Sequence, residues 1–277
     1  MINRSLRPVV VALVLICATA TVAFSHDLFL KPNAFFAAPN ATVRLTALNG
    51  TFSTSESSVT ADRLLDLAIV GPGGRIKGDT ATWNSRGKAS KWAVKVGAAG
   101  TYVLGASLRP NVIALKGPEF NAYLADDGLP DVLAARKTSG ELAAPAIERY
   151  AKHIKALVQV GDARTATFGT VLGYPAEIVP LDNPYEAVKG ARTLRIRALV
   201  DGTPVPNQVV IAGGRTTSGA RIASQTMRTD AQGMATFALG TRGVWYVKFI
   251  RMVRVTPTPK DSANHESKWA TLTFAVR

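Results

Sequence analysis

Residues 192–206 read RTLRIRALVDGTPVP, and this stretch decides the fold class. Leu194, Ile196, Ala198 and Val200 alternate with Arg195 and Arg197, the period-two pattern of a strand buried on one face, and Asp201-Gly202 then turns the chain. Toward the C-terminus, residues 204–212, 234–239, 244–255 and 269–276 read as further strands, with a polar turn at 229–233. Toward the N-terminus, residues 41–48, 67–70, 91–96 and 100–108 show the same short apolar runs. The run at 67–70 is stopped by Gly71-Pro72-Gly73-Gly74, a strong breaker. Short strands at such spacing predict sandwiches.

Between these groups the pattern changes. Ile147, Tyr150, Ala151, Ile154, Leu157 and Val158 recur at helical spacing, with Glu148, Arg149, Lys152 and Lys155 on the opposite side. Pro145 and Gly161 suit helix boundaries, so the spacing predicts a helix over 145–161, preceded by shorter ones at 120–126 and 130–137. The expected fold is mainly β, with two β-sandwich domains. Residues 26–171 would form the first, interrupted by a helical insert at about 119–160, and residues 172–277 the second.

Residues 1–25 read as a cleaved signal peptide. Arg4 and Arg7 give a positive start, 9–22 is apolar, and Ala23-Phe24-Ser25 places small residues where a signal peptidase cuts. The apolar run is shorter than the roughly 20 residues of a membrane span, so the mature protein is expected in the periplasm or secreted, not membrane-spanning. Cleavage near Ser25 removes Cys17, the single cysteine, and with it disulfides, thiolate nucleophiles and Cys-ligated metals. The formal charge is +14. With export expected and the basic residues scattered, no nucleic acid partner is expected. Anionic lipid headgroups or cell-wall polymers are the fitting neighbours.

The chain has no Gly-rich phosphate loop, no G-x-S-x-G elbow and no H-E-x-x-H pair. Its histidines are His26, His153 and His265. Cleavage after Ser25 makes His26 the N-terminal residue, whose α-amino and imidazole Nδ1 nitrogens can close one chelate ring on a metal ion. Nitrogen donors suit nickel, cobalt, copper and zinc. Asp27 is positioned to add a carboxylate. His265 lies in the polar segment Asn264-His265-Glu266-Ser267, read as a loop able to fold back as a further ligand. His153 falls on the flank of the predicted helix, in a packing role. Phe29, Phe35, Phe36, Trp83 and Trp92 are expected in the first core, Trp245 and Trp269 in strands of the second.

His26-Asp27-Leu28-Phe29-Leu30-Lys31-Pro32 after a signal sequence resembles the opening of a bacterial family labelled a domain of unknown function, grouped with periplasmic components of cobalt and nickel uptake systems. The likeness continues in order through Leu48–Phe52, Glu148-Arg149-Tyr150, Lys155–Gly161, Glu177–Pro180, Asn183-Pro184-Tyr185 and Glu266–Phe274. The Gly-x-Pro turn at 202–204 with Thr229-Asp230 and Gly233 also resembles carboxypeptidase-regulatory and transthyretin-like sandwich modules, of immunoglobulin-like architecture. Arg251 departs from the resemblance, since many members of that family carry histidine there; a guanidinium cannot ligate a cation.

The resemblance implies a non-enzymatic periplasmic binding protein for a divalent transition metal, nickel or cobalt, accessory to uptake through a membrane transporter or envelope component. His26, Asp27 and His265 are its expected metal residues, and no catalytic residue is expected. The alternatives are a scaffold module that binds the cell envelope without metal, and a copper oxidase with an N-terminal histidine.

Overall fold

The computed structural model describes residues 26–186 and 192–277; the expected signal peptide lies outside them. The fold is mainly β, as expected. The N-terminal half contains β1 (Asp27–Pro32), β2 (Phe36–Ala37), β3 (Thr42–Gly50), β4 (Ser55–Ser57), β5 (Leu64–Gly71), β6 (Gly74–Lys77), β7 (Trp83–Asn84), β8 (Ser90–Lys95), β9 (Gly100–Leu108) and β10 (Asn111–Leu115). Helices α1 (Gly117–Asp126) and α2 (Pro130–Thr138) follow, then the long β11 (Ala146–Val160). The remainder is β12 (Ala176–Pro180), β13 (Thr193–Val200), β14 (Thr203–Pro204), β15 (Val209–Thr216), β16 (Arg221–Arg228), β17 (Met234–Ala238), β18 (Gly243–Arg254) and β19 (His265–Val276).

These strands form three sheets among the described residues. A ten-stranded sheet runs β16-β15-β18-β19-β11-β9-β5-β6, with β10 and β2 also on β11. A five-stranded sheet holds β1-β3-β8-β7 with β4 on β3, and a four-stranded one holds β12-β13-β14 with β17 on β13. The expected boundary at 171/172 falls between the 3-10 turn Ala166–Gly169 and β12, yet the ten-stranded sheet passes across it. The last strand, β19, lies between β18 and β11, antiparallel to the first and parallel to the second.

Both cores are built on this shared sheet. One gathers Leu28, Leu30, Val43, Leu45, Trp83 and Trp92 over Leu104, Ile154, Ala156, Val158 and Val160. The other packs Ile178, Leu194, Ile196 and Phe237 over Leu157, Trp245, Val247, Leu272 and Phe274. The odd–even split of β11 between the two cores is the period-two signature of a strand buried on both faces.

The helix expected over 145–161 is therefore wrong: the segment is β11, and the helical part of the insert ends at Thr138. Glu148, Lys152 and Lys155 of the supposed solvent face are interior, and the strand's buried polar residues are partnered there. Glu148 accepts hydrogen bonds from Tyr123 Oη at 3.1 Å and from Ser267 Oγ. Lys155 Nζ pairs with Glu177 at 3.0 Å, both side chains almost fully buried. Thr101 Oγ1 donates to Gln159 Oε1 at 2.9 Å. A central strand covered on both faces loses clean alternation, and here its buried polar residues imitate a helix's wet side.

The shorter helices form where expected. Pro118 and Pro130 sit in their first turns, where a missing N–H costs nothing. After α1, Gly128 adopts φ +77°, and the Leu129 N–H bonds the Leu124 carbonyl at 2.9 Å, a left-handed glycine stop. That stop places Asp126 and Asp127 beside the start of β1. None of the helices among the described residues is long and apolar enough to cross a membrane.

Candidate functional site

A cleft of about 620 Å³ opens between the start of β1, the end of α1, the 51–52 turn, the β15–β16 hairpin and β18. Its size falls in the usual range for small-molecule sites, roughly 300–1,000 Å³. His26 and Asp27 stand at one end, because β1 pairs with β3 so that Asp27 faces Gly50. Thr271 Oγ1 of β19 donates to the Leu28 carbonyl at 2.8 Å, fastening β1 to the large sheet. Lys152 Nζ of β11 donates to the His26 carbonyl, and at 3.4 Å to Asn49 Oδ1.

The His26 imidazole is about a quarter exposed, and its Nε2 lies 2.9 Å from Glu56 Oε2 on β4. Asp27 Oδ2 is 2.5 Å from Lys248 Nζ of β18, which also reaches Asp127 Oδ1 at 3.0 Å. Burial alone would lower the Lys248 ammonium, but Asp27 and Asp127 together outweigh it and raise its pKa above the ordinary value. Burial pushes Asp127 up to about 6, against the pull of Lys248. Burial brings Lys152 down to about 8, against the attraction of Asp27, Asp127 and Glu148. Asp127 lines the cleft and Lys152 holds the His26 backbone behind it; groups titrating on either side of neutrality so placed mark a candidate functional site.

The opposite end is basic. Arg215 of β15 and Arg221 of β16 both line it. Between the ends, Phe29, Phe52 and Tyr246 form an aromatic wall, ring centroids 4.8–5.1 Å apart. Phe29 thus belongs to the cleft and not to the first core. Gly213 lets the wall close on β15, since a Cβ there would lie 2.7 Å from Tyr246 Oη.

Of the residues expected to act together, His26 and Asp27 meet at this cleft and His265 does not. His265 is no loop residue: it begins β19, is 3% exposed, and packs its ring against Phe120 at 4.8 Å. Burial first, then Arg136 and Arg254, lower its pKa to about 4. His153 is buried on β11 with Nδ1 2.9 Å from Ser107 Oγ, on the side facing Tyr174. Asp27 is engaged by Lys248, and Arg251 lies exposed on β18 opposite Lys268. Among the described residues, no three or more His, Cys, Asp or Glu side chains cluster closely enough to hold an ion unaided.

Glu56, Asp126, Asp127, Lys152, Arg215, Arg221 and Lys248 were not found from the sequence. Lys248 did carry a signal, being a charge inside the apolar run Trp245–Ile250, where a buried ammonium needs a partner. The two arginines carried none, because only the hairpin register brings them together.

No curated protein matches the sequence. Among solved structures, the chain is similar to a DUF4785 family protein from Legionella pneumophila, at 10% identity and a TM-score of 0.24, covering 79% of this chain and 50% of that one. It is also similar to a tetra-tandem repeat from the extending region of a large adhesion protein, at 12% identity and a TM-score of 0.25, covering 89% and 48%. The chain spans about half the length of either. The family model for a domain of unknown function, DUF4198, matches residues 23–252, and the chain belongs to that family.

Proposed function

We propose that the exported, mature protein begins at His26 and binds a divalent transition-metal ion, nickel or cobalt, as cargo at the acidic end of the cleft, serving metal uptake in the periplasm. The observation that carries this is the His26–Glu56 contact. A carboxylate accepting a hydrogen bond from Nε2–H leaves the lone pair on Nδ1, the nitrogen that forms a chelate ring with the α-amino group. Carboxylates so placed behind a ligating imidazole fix its tautomer and strengthen it as a donor.

The surrounding charge favours a cation. Lys248 is outnumbered by Asp27 and Asp127, and Asp126 and Glu56 add two more carboxylates nearby. Asp27 acts here by holding Lys248, so further donors would come from Asp126 or from what arrives with the ion. Lys152, bonded to the His26 carbonyl, would hold the terminal residue in place.

Calorimetric titration of the mature chain with Ni²⁺ and Co²⁺ tests the proposal. One ion should bind per chain. An alanine added ahead of His26 should abolish the site, and Glu56→Gln should weaken it by about 10–100-fold, the usual cost of losing such a supporting carboxylate. A chain that binds no ion, or an extended chain that binds as well as the native one, would refute it.

A further inference from the structure

The basic end of the cleft holds charge that a bare cation does not use. Arg215 and Arg221 are directly opposed in the antiparallel register of β15 and β16, so their side chains share a face. Like charges set opposite one another across a hairpin are destabilising. Among the described residues neither guanidinium pairs with a carboxylate; Arg215 donates instead to Ser53 Oγ at 2.9 Å and to the Gly219 carbonyl at 3.4 Å. Lys31 adds a third positive charge, its ammonium 5.1 Å from the centre of the Phe52 ring, and burial together with the field of Arg215 lowers its pKa.

The register also sets the distance between the two ends. Ile211 lies opposite Lys248, and Arg215 opposite Val244. Four residues of strand separate these positions by about 13 Å at the backbone. The cleft's 620 Å³ is many times the roughly 30 Å³ share of a single water, far more than an ion needs. Its middle is aromatic, which suits a carbon skeleton and offers nothing to a bare inorganic anion.

We propose that Arg215 and Arg221 bind a carboxylate of a small organic di- or tricarboxylate, so that the cargo enters as a metal–carboxylate chelate with its metal at His26. Paired guanidinium forks match carboxylate oxygens two at a time. The ligand's remaining carboxylates complete the coordination that the protein alone does not supply. The ion's place rests on the metal site proposed above, whereas the arginine site stands on its own geometry.

The test is calorimetry on the mature chain and its R215A/R221A variant, with four probes: Ni²⁺, citrate, preformed nickel–citrate and inorganic phosphate. Nickel–citrate should bind at least about tenfold more tightly than Ni²⁺ or citrate alone, the scale of one charge-assisted pair. The double variant should lose that margin and keep its affinity for Ni²⁺ alone, with a melting temperature no lower than the native chain's, since the opposed charges are gone. Nickel–citrate binding no tighter than Ni²⁺, or binding indifferent to the arginines, overturns the chelate. Equal binding of inorganic phosphate overturns the carboxylate assignment. Arginine-dependent citrate binding in a chain that takes no Ni²⁺ overturns the chelate and the metal site together, and supports the carboxylate site.

Discussion

Replacing Lys155 by methionine should destabilise the fold by about 3–5 kcal/mol, the cost of stranding one partner of a buried ion pair. Both side chains of the Lys155–Glu177 pair are nearly inaccessible, 3% and 1% exposed, with 3.0 Å between nitrogen and oxygen. Glu177 also accepts the backbone N–H groups of Leu172 at 2.9 Å and Tyr174 at 2.7 Å. The carboxylate therefore stays where it is when the ammonium goes. Methionine keeps the unbranched shape, so the loss is electrostatic and not a cavity. In a chain of this size the change corresponds to a fall in melting temperature of about 6–20 °C.

The double variant Lys155→Met/Glu177→Gln should recover much of the loss at pH 7, because no buried charge remains. Denaturant unfolding followed by tryptophan fluorescence at pH 7 measures the native chain and both variants. A single-variant deficit below about 1 kcal/mol, or a double variant worse than the single, would refute the reasoning.

Two further perturbations examine other parts of the sheet. Burial, with a contribution from Lys268, lowers His153 to about 4, so the unfolded chain takes up this proton first and stability is lost as pH drops from about 6.5 toward 4. The native protein should lose about 2 kcal/mol more than His153→Gln between pH 7 and pH 5; equal losses in parallel unfolding curves would exclude the effect. Gly214→Ala would place a Cβ 2.3 Å from the Val244 carbonyl oxygen and should cost about 1–3 kcal/mol or more, read as a lower denaturation midpoint. An unchanged midpoint would mean that β15 and β18 are not so closely apposed.

Much of the fold was legible because edge and half-buried strands advertise themselves. Residues 193–200 alternate as one face of β13, and 234–238 as β17, since each turns one side to a core and the other to water. The short helices formed close to the expected 120–126 and 130–137, whereas the proline and glycine that bracket 145–161 bounded a strand instead. β11 was not legible, because a strand covered on both faces has no wet side to set its period. Its Glu148, Lys152 and Lys155 are buried against partners far along the chain. The site was legible only in part. His26 and Asp27 stood out beside the expected cleavage point. His265 misled, since its polar neighbours suggested a loop while Phe120 covers its ring.

The place of β19 has a consequence for how the molecule is assembled. Residues 265–276 fill the gap between β18 and β11, and the parallel pairing joins Glu148 to His265 across more than a hundred residues of chain. Pairings so remote in sequence form slowly, after a large loop has closed. Until that strand arrives, β11 and β18 each present an open edge with apolar side chains on both faces, a template for joining a neighbouring copy. A chain delivered N-terminus first passes through this state every time it is made. With a formal net charge of +14, copies of the chain repel one another, which opposes such joining while the edges are open.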